Sequence, residues 1–579
     1  MHVIIGKIKK PLAIKDADSV FFVNILAGFS DELVYVLISL MAARMVTPRA
    51  LAGVTIITPI YYFAMILAVM ISKSTALSVQ TALGNFTKKE AGCYLANGIQ
   101  AAVLAGAAVL IVTSFGSDAY FNAVGVSQQT VDYATEYLTF GQFGYMLIPI
   151  CKTISEYIGL SSNKKTILLS RAVLILSNTL LSYILCKKMG LMGIGLAFTI
   201  GYIAHLCILA RHFMSEHNSV RPVQRKIEMH RMDSIKRSIP GGMTQISGLL
   251  TTVCINALIV RNFGVLSEDV LAYMSVFANI LIASTIYQAI PDTCCALINL
   301  YNVENNEITI EELIRHSMIV SSAIAILLSV ITIIFAPYLP ILFNVSELEY
   351  TEEFVIAVRV FAAFFIVRSI YINYSSFQVA LGHHFFSAAL EFLKEFIAPT
   401  LVVTLFVKTF GAIGLFVGMS VYPFFTLILL YIGVRLYTKH TDKYSFPWLF
   451  SNTNVDPIVY EMNVTMDNVI DLRNRVGKYL LDSGVSKASS LKTELVVEEF
   501  GTLLLNSNKD TVLTEWDIYI YDDLIELVVR DDGSFIDFSR DDATAGLSAY
   551  VLSCVMPTYG EIHYAMASSE NRHRFQIER

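Results

Sequence analysis

Up to about residue 437 the chain alternates long apolar runs with short polar breaks, and then the rhythm changes. Residues 91–117, 189–210, 238–260, 271–291, 317–346 and 409–434 contain no Asp, Glu, Lys or Arg. A helix needs roughly 20 predominantly apolar residues to cross about 30 Å of hydrocarbon, so each of these runs is read as a span. Six more, about 20–44, 50–72, 134–158, 167–186, 355–380 and 386–408, are interrupted by one or a few charges. The pattern predicts twelve transmembrane helices.

Two local matches divide the spans in half. "PRALAGVTII" from Pro48 resembles "EDVLAYMSVF" from Glu268, with Leu51-Ala52 matching Leu271-Ala272. "MGLMGIGLAF" from Met189 resembles "FGAIGLFVGM" from Phe410, with Gly190 and Gly193 matching Gly411 and Gly414. The offsets, 220 and 221, equal six spans plus their loops. This implies an internal repeat of two equally oriented halves, an arrangement that places a substrate path between them.

Beyond the last span, 438–456 mixes charge, aromatics, Asn and Pro and reads as a linker. From 457 the periods shorten. "VYEMNV", "WDIYIYDD", "IELVVRDDG", "GEIHYAMA" and "RHRFQIE" read as strands, whereas "DNVIDLRNRVGKYLLDSG" and "KASSLKTELVVEEFGTLLLNSN" have helical spacing. The expected fold is a polytopic α-helical membrane protein of two six-helix bundles with a C-terminal soluble α/β domain, a mixed sheet covered by helices. Its parts are an N-terminal segment (1–18), a first bundle (19–214), a basic loop (215–237), a second bundle (238–437), the linker and the tail (457–579).

Composition agrees: 55% of residues are apolar and only 16% charged, against about 25% charged in soluble domains. From 455 onward there are 22 acidic and 11 basic residues, net −11, which leaves the membrane part at +5 within a chain of −6. Basic residues gather in alternate loops, at Lys88, Lys89, Lys164, Lys165 and between Arg221 and Arg237, and are absent from 117–132 and 337–353. By the positive-inside rule both termini are expected in the cytoplasm, in an inner membrane. No cleaved signal peptide and no nucleic-acid partner are expected. The eight cysteines are scattered without metal or disulfide spacing, and the vicinal Cys294–Cys295 reads as packing.

Ionisable residues inside spans usually line a pathway. Asp31 and Glu32 fall near the middle of the first span. A desolvated carboxylate there could carry a proton, or one acid could pair permanently with Arg368 of the tenth span. Lys152 and Glu156 stand at i and i+4 and share a helix face, which favours a structural pair. Asp292, after Pro291, and Arg359 are weaker candidates, as are Glu391, Lys394 and Glu395, which read as a solvated or self-paired face.

The stretches "ARMVTPRALAGVTIITPI", "ISKSTALSVQTALGNFTKKEAGCYLANGI", "IGLSSNKKTILLSRAVLILSNTLLSYI" and "MGLMGIGLAFTIGYI" resemble multidrug and toxic compound extrusion (MATE) transporters over about 20–437. The resemblance implies two bundles around a cleft and efflux of organic cations or similar small molecules against inward H⁺ or Na⁺. In many members an Asp of the first span stands six residues before the Arg that Arg44 matches; that position is Ile38 here. The tail resembles the GHKL ATP-binding domain of histidine kinases and anti-sigma factor kinases. Asp531 and Gly533 would match its adenine-reading Asp-x-Gly as an exposed turn, Glu499 its helix glutamate, and Gly546 the first glycine of its lid, so ATP or ADP is the implied ligand. The place of the family's Mg²⁺-holding Asn is Leu503, or Thr502 with the register shifted by one, and the lid reads Gly-Leu-Ser-Ala, so neither ATPase nor kinase activity is expected. Two further readings stay open: a non-transporting receptor whose tail sequesters a cytoplasmic regulatory protein, and an exporter of lipid-linked sugars, against which no strongly cationic cleft is visible.

Overall fold

The apolar runs of the first half fold as α1 (Leu12–Met45), α2 (Ala50–Ile56), α3 (Thr58–Gly84), α4 (Lys88–Val124), α5 (Gln128–Leu160) and α6 (Lys164–Arg211). Those of the second half fold as α7 (Met232–Phe263), α8 (Ser267–Ile280), α9 (Ile282–Val303), α10 (Glu307–Phe335), the short α11 (Leu339–Leu342), α12 (Thr351–Ala363), α13 (Phe365–Ala380), α14 (His384–Phe392) and α15 (Ala398–His440). A π-helical turn, Leu393–Ile397, joins α14 to α15. The structure is a computed structural model that describes residues 2–6, 8, 10–84, 88–160, 164–214, 222, 232–440, 444, 445, 447–451, 457–508, 510–534, 548, 551, 552, 558–563 and 571–579.

Among the described residues eight helical segments are long and apolar enough to cross a membrane, and nine if α12 and α13, bent by 48°, form one span. The chain is a multi-pass membrane protein. The count differs from the twelve apolar runs mainly because α6 and α15 each contain two of them. Each is interrupted by a glycine of positive φ, Gly190 (φ 60°, ψ −138°) and Gly411 (φ 61°, ψ −135°). A Cβ on Gly193 would collide with the carbonyl of Leu185, and one on Gly414 with that of Phe406. Eight residues of straight helix span about 12 Å, so in both places the chain turns back on itself. All three residue pairs are displaced by 221, and the repeat read from sequence is a repeat of backbone geometry.

Each half has its own apolar core, with Val34, Tyr137 and Phe198 in the first and Tyr273, Phe354 and Phe416 in the second. Large apolar side chains such as Leu104, Phe115, Phe335 and Phe410 point outward and are exposed, as lipid-facing positions require. The halves touch at both ends. On the side away from the chain termini α2 meets α8: Arg49 lies 3.3 Å from Asp269, Thr55 Oγ1 donates to the Leu271 carbonyl at 3.1 Å, and Arg44 donates to the carbonyls of Ile341 and Leu342. On the tail side Ala13, Ala17 and Phe21 of α1 join a core with Ile290, Cys294 and Leu297 of α9.

The tail is a six-stranded sheet with strand order β1-β4-β5-β6-β8-β7, covered on one face by α16 (Met466–Asp482) and α17 (Lys487–Ser507). Its strands are β4 (Ile458–Asn463), β5 (Leu513–Ile520), β6 (Leu524–Asp531), β7 (Thr558–His563) and β8 (Asn571–Glu578), all antiparallel to their neighbours among themselves. Thr465 and Ser486 cap the two helices through their side chains. The two-residue strands β2 (Tyr444–Ser445) and β3 (Phe450–Ser451) pair within the linker. The edge strand β1 is His2–Ile5, parallel to β4 with Val3 opposite Tyr460. The N-terminal segment is therefore not a separate unit: its first strand completes the sheet of the last domain.

Candidate functional site

The second half holds a cluster of buried charges. Helix α13 supplies Arg368 and Ser375, α14 supplies Glu391, and the π turn supplies Lys394 and Glu395. Lys394 Nζ is 2.8 Å from Glu391 Oε1, and both side chains are under 10% exposed. Thr244 of α7 donates to the other Glu391 oxygen at 2.8 Å, and Ser375 donates to Oε1. Arg368 lies 4.0 Å from Glu395 and donates to the Tyr422 hydroxyl of α15. Two acids and two bases thus balance, with Arg368, Glu391 and Lys394 buried and Glu395 half-buried. A π turn inserts one extra residue and recurs at functional sites; here it brings Lys394 and Glu395 toward the interior.

The first half has an aromatic core of its own. Tyr35, Tyr61, Tyr137, Tyr145, Phe198 and Tyr202 form a chain of ring contacts with centroids 4.4–6.4 Å apart. Tyr62 of α3 lies in the field of Glu32, Glu395 and Arg368 together, which places the half-buried Glu32 toward the second-half charges. Asp292 on α9 is exposed, with Lys73 of the first half and Lys394 and Glu391 of the second near enough to act on it, and Ser376 Oγ lies 3.4 Å from its Oδ1. Lys152 and Glu156 are 3.8 Å apart on α5. The backbone of Asp31 belongs to α1, but its side chain lies outside the described residues. Of the acid partners the sequence offers Arg368 in the first span, Asp31 has its side chain outside the described residues; within its own half Arg368 lies 4.0 Å from Glu395.

In the tail, Asp531 ends β6 and is fully buried. Its Oδ1 accepts from the Gly533 amide and from Asn571 Nδ2, both at 2.9 Å, and His573 Nε2 is 3.2 Å from Oδ2. The expectation of an exposed turn is corrected for Asp531 alone, whose carboxylate is buried between Asn571 and His573 of the neighbouring strand β8; Asp532 and Gly533 are half-buried and Ser534 is exposed. Glu499 is half-buried on α17, Leu503 packs into the helix-covered core, and Gly546 lies outside the described residues. Among the described residues no group of three His, Cys, Asp or Glu side chains could hold a metal ion.

Residues 25–184 match the MatE family model. The inward-facing conformation of a multidrug resistance MATE family transporter of the MOP superfamily superposes with a TM-score of 0.64 at 17% identity, covering 72% of this chain and 96% of that one. The outward-facing conformation gives 0.59 at 16% identity (75% and 99% covered), and a crystal structure of MATE in the straight conformation gives 0.62 at 16% (74% and 98%). The membrane part has the MATE fold. None of the curated proteins matches the chain. Within the MATE fold, Ile38 is buried at 1% exposure in the first-half core beside Val34. Polar chemistry has gathered in the other half, on Glu391, Lys394 and Glu395, which sequence reasoning gave to a solvated or self-paired face. They are indeed paired with one another and with Arg368, but inside. The available signal was their i, i+3, i+4 spacing in an otherwise apolar run, which puts all three on one face of a helix.

Proposed function

We propose that the chain is an ion-coupled efflux antiporter of drug-like or organic cationic compounds, crossing an inner membrane twelve times with both termini in the cytoplasm. The observation that carries this reading is the buried cluster around Glu391 and Arg368, with the exposed Asp292 in the field of its Lys394 and Glu391, in a MATE fold. A cation arriving between the halves meets Asp292 first. There it competes with Lys73 and Lys394 for negative charge, and a proton or Na⁺ moving the other way can neutralise the same carboxylates. Binding of the two is thereby mutually exclusive, which is what exchange requires. The tail, as a relic of a nucleotide-binding domain, adjusts the transporter in response to ATP, ADP or a cytoplasmic protein. The Ile38 departure favours one rival, a receptor that binds a ligand without turnover.

The test is counter-gradient efflux of a fluorescent organic cation from vesicles containing the full chain, under H⁺ and then Na⁺ gradients. Asp292→Asn and Glu391→Gln are expected to lower the rate at least tenfold, and ATP on the tail side to change the rate of the unmodified chain. Ligand binding without efflux under either gradient would establish the receptor instead. A rate indifferent to nucleotide would leave a protein partner as the tail's effector.

A further inference from the structure

The sheet of the tail has a second face that no tail helix covers. Strand register lines up Glu461, Glu515, Arg530 and Arg572 in one row across β4, β5, β6 and β8, with Asp517 in the next row. Such a row belongs in water, yet Glu461, Glu515, Asp517 and Arg530 are each at most 1% exposed. The turn between α9 and α10 buries them. Glu304, which ends α9, pairs with both Arg530 and Arg572, while Arg530 also holds Glu515 and lies 2.9 Å from Asp517. The Tyr301 ring lies 4.1 Å from the Arg530 guanidinium carbon, and Asn306, the cap of α10, donates to Asp517 at 2.9 Å. Buried charges are tolerated only when paired and hydrogen-bonded, so this face is built for that turn.

The same sheet also grips the first half. Strand β1 runs on into α1, whose first amide, Leu12 N, donates to Glu461 at 3.1 Å, and whose Lys15 pairs with Asp532. Asp18 of α1 then meets His316 of α10 at 2.8 Å. The linker fixes the tail to the second half as well: Trp448 stacks on Tyr374, and Tyr374 and Gln378 donate to the carbonyls of Pro447 and Trp448.

We propose that the tail is an intramolecular clamp, its uncovered sheet face and its β1 edge together holding the tail-side ends of the two halves shut. Rocking of one half against the other must break either the α1 contacts or those of Glu304. An effector of the tail acts by undocking the sheet from the α9–α10 turn. This deepens the regulatory role proposed above and rests on it, but its test does not require transport.

Spin labels at Lys165 and Arg315, exposed positions on the tail-side ends of the two halves, report the separation by pulsed electron resonance in the full chain. The unmodified protein is expected to give one narrow distance. Glu304→Gln, which keeps the side-chain volume, and deletion of residues 2–5, which leaves the α9–α10 turn intact, are each expected to add a population longer by several ångströms. Efflux would rise severalfold in both. The longer population without efflux in any variant would sink the transporter reading and leave the clamp standing. The same narrow distance in both variants would overturn the clamp.

Discussion

At the scale of the residue, the Lys394–Glu391 pair sets the stakes. Removing one member of a buried ion pair strands the other and costs about 3–5 kcal/mol, whereas replacing both with neutral groups is often tolerated. Lys394→Met is therefore expected to lower the thermal stability of the purified protein sharply, and the double variant with Glu391→Gln to recover most of it. An additive loss would show that the two side chains do not depend on each other. His2 permits a test by pH. Burial by itself lowers its imidazole, but Glu312 at 2.8 Å and Glu461 at 3.5 Å outweigh that and raise it from 6.5 to about 10. The folded value lies above the unfolded one, so His2 contributes its full stabilisation below about pH 6.5 and loses it as pH rises through about 10. Melting temperature should fall less steeply between pH 7 and 10 in His2→Gln than in the unmodified chain. The sequence showed that Arg368, Lys152 and Glu32 are charges within apolar runs. It could not show their partners, because those come from elements brought together only by packing.

At the scale of the element, glycine carries the repeat. Gly411 has no neighbour within 4 Å of a Cβ, so Gly411→Ala isolates the backbone effect, expected to cost about 1–2 kcal/mol. Gly190→Ala should cost about as much, since the atom its Cβ would meet at 2.5 Å, Glu136 Oε1, is the end of a flexible half-buried side chain that can swing aside. Thermal melts of both in detergent would check the match, and a Gly411→Ala protein as stable as the parent would remove the backbone argument. The offset of 221 was legible in sequence; the reversal of chain direction at each glycine was not, because an apolar run reads the same whether it continues or turns back. Strands β4 to β6 and β8 were legible by their period of two. Which face of them meets water was not. Alternating Glu515, Asp517 and Arg530 with Trp516 and Ile518 describes a half-solvated strand, and only the docked α9–α10 turn makes both faces dry. Nor could four residues, "HVII", announce that they pair with a strand at the other end of the chain.

At the scale of the whole molecule, the bundle is shut at both ends, by α2 on α8 away from the tail and by α1 on α9 beneath it. The pairing of β1 with β4 also bears on how the protein is made. Strand β1 leaves the ribosome ahead of α1 to α15, and its partner β4 is synthesised about 450 residues later. At roughly 5–20 residues per second that interval lasts tens of seconds. Strand β1 can therefore be paired only once the chain has grown past β4, and a product cut short before β4 would carry β1 unpaired, a mark by which proteolytic surveillance could tell it from a chain that has passed that point.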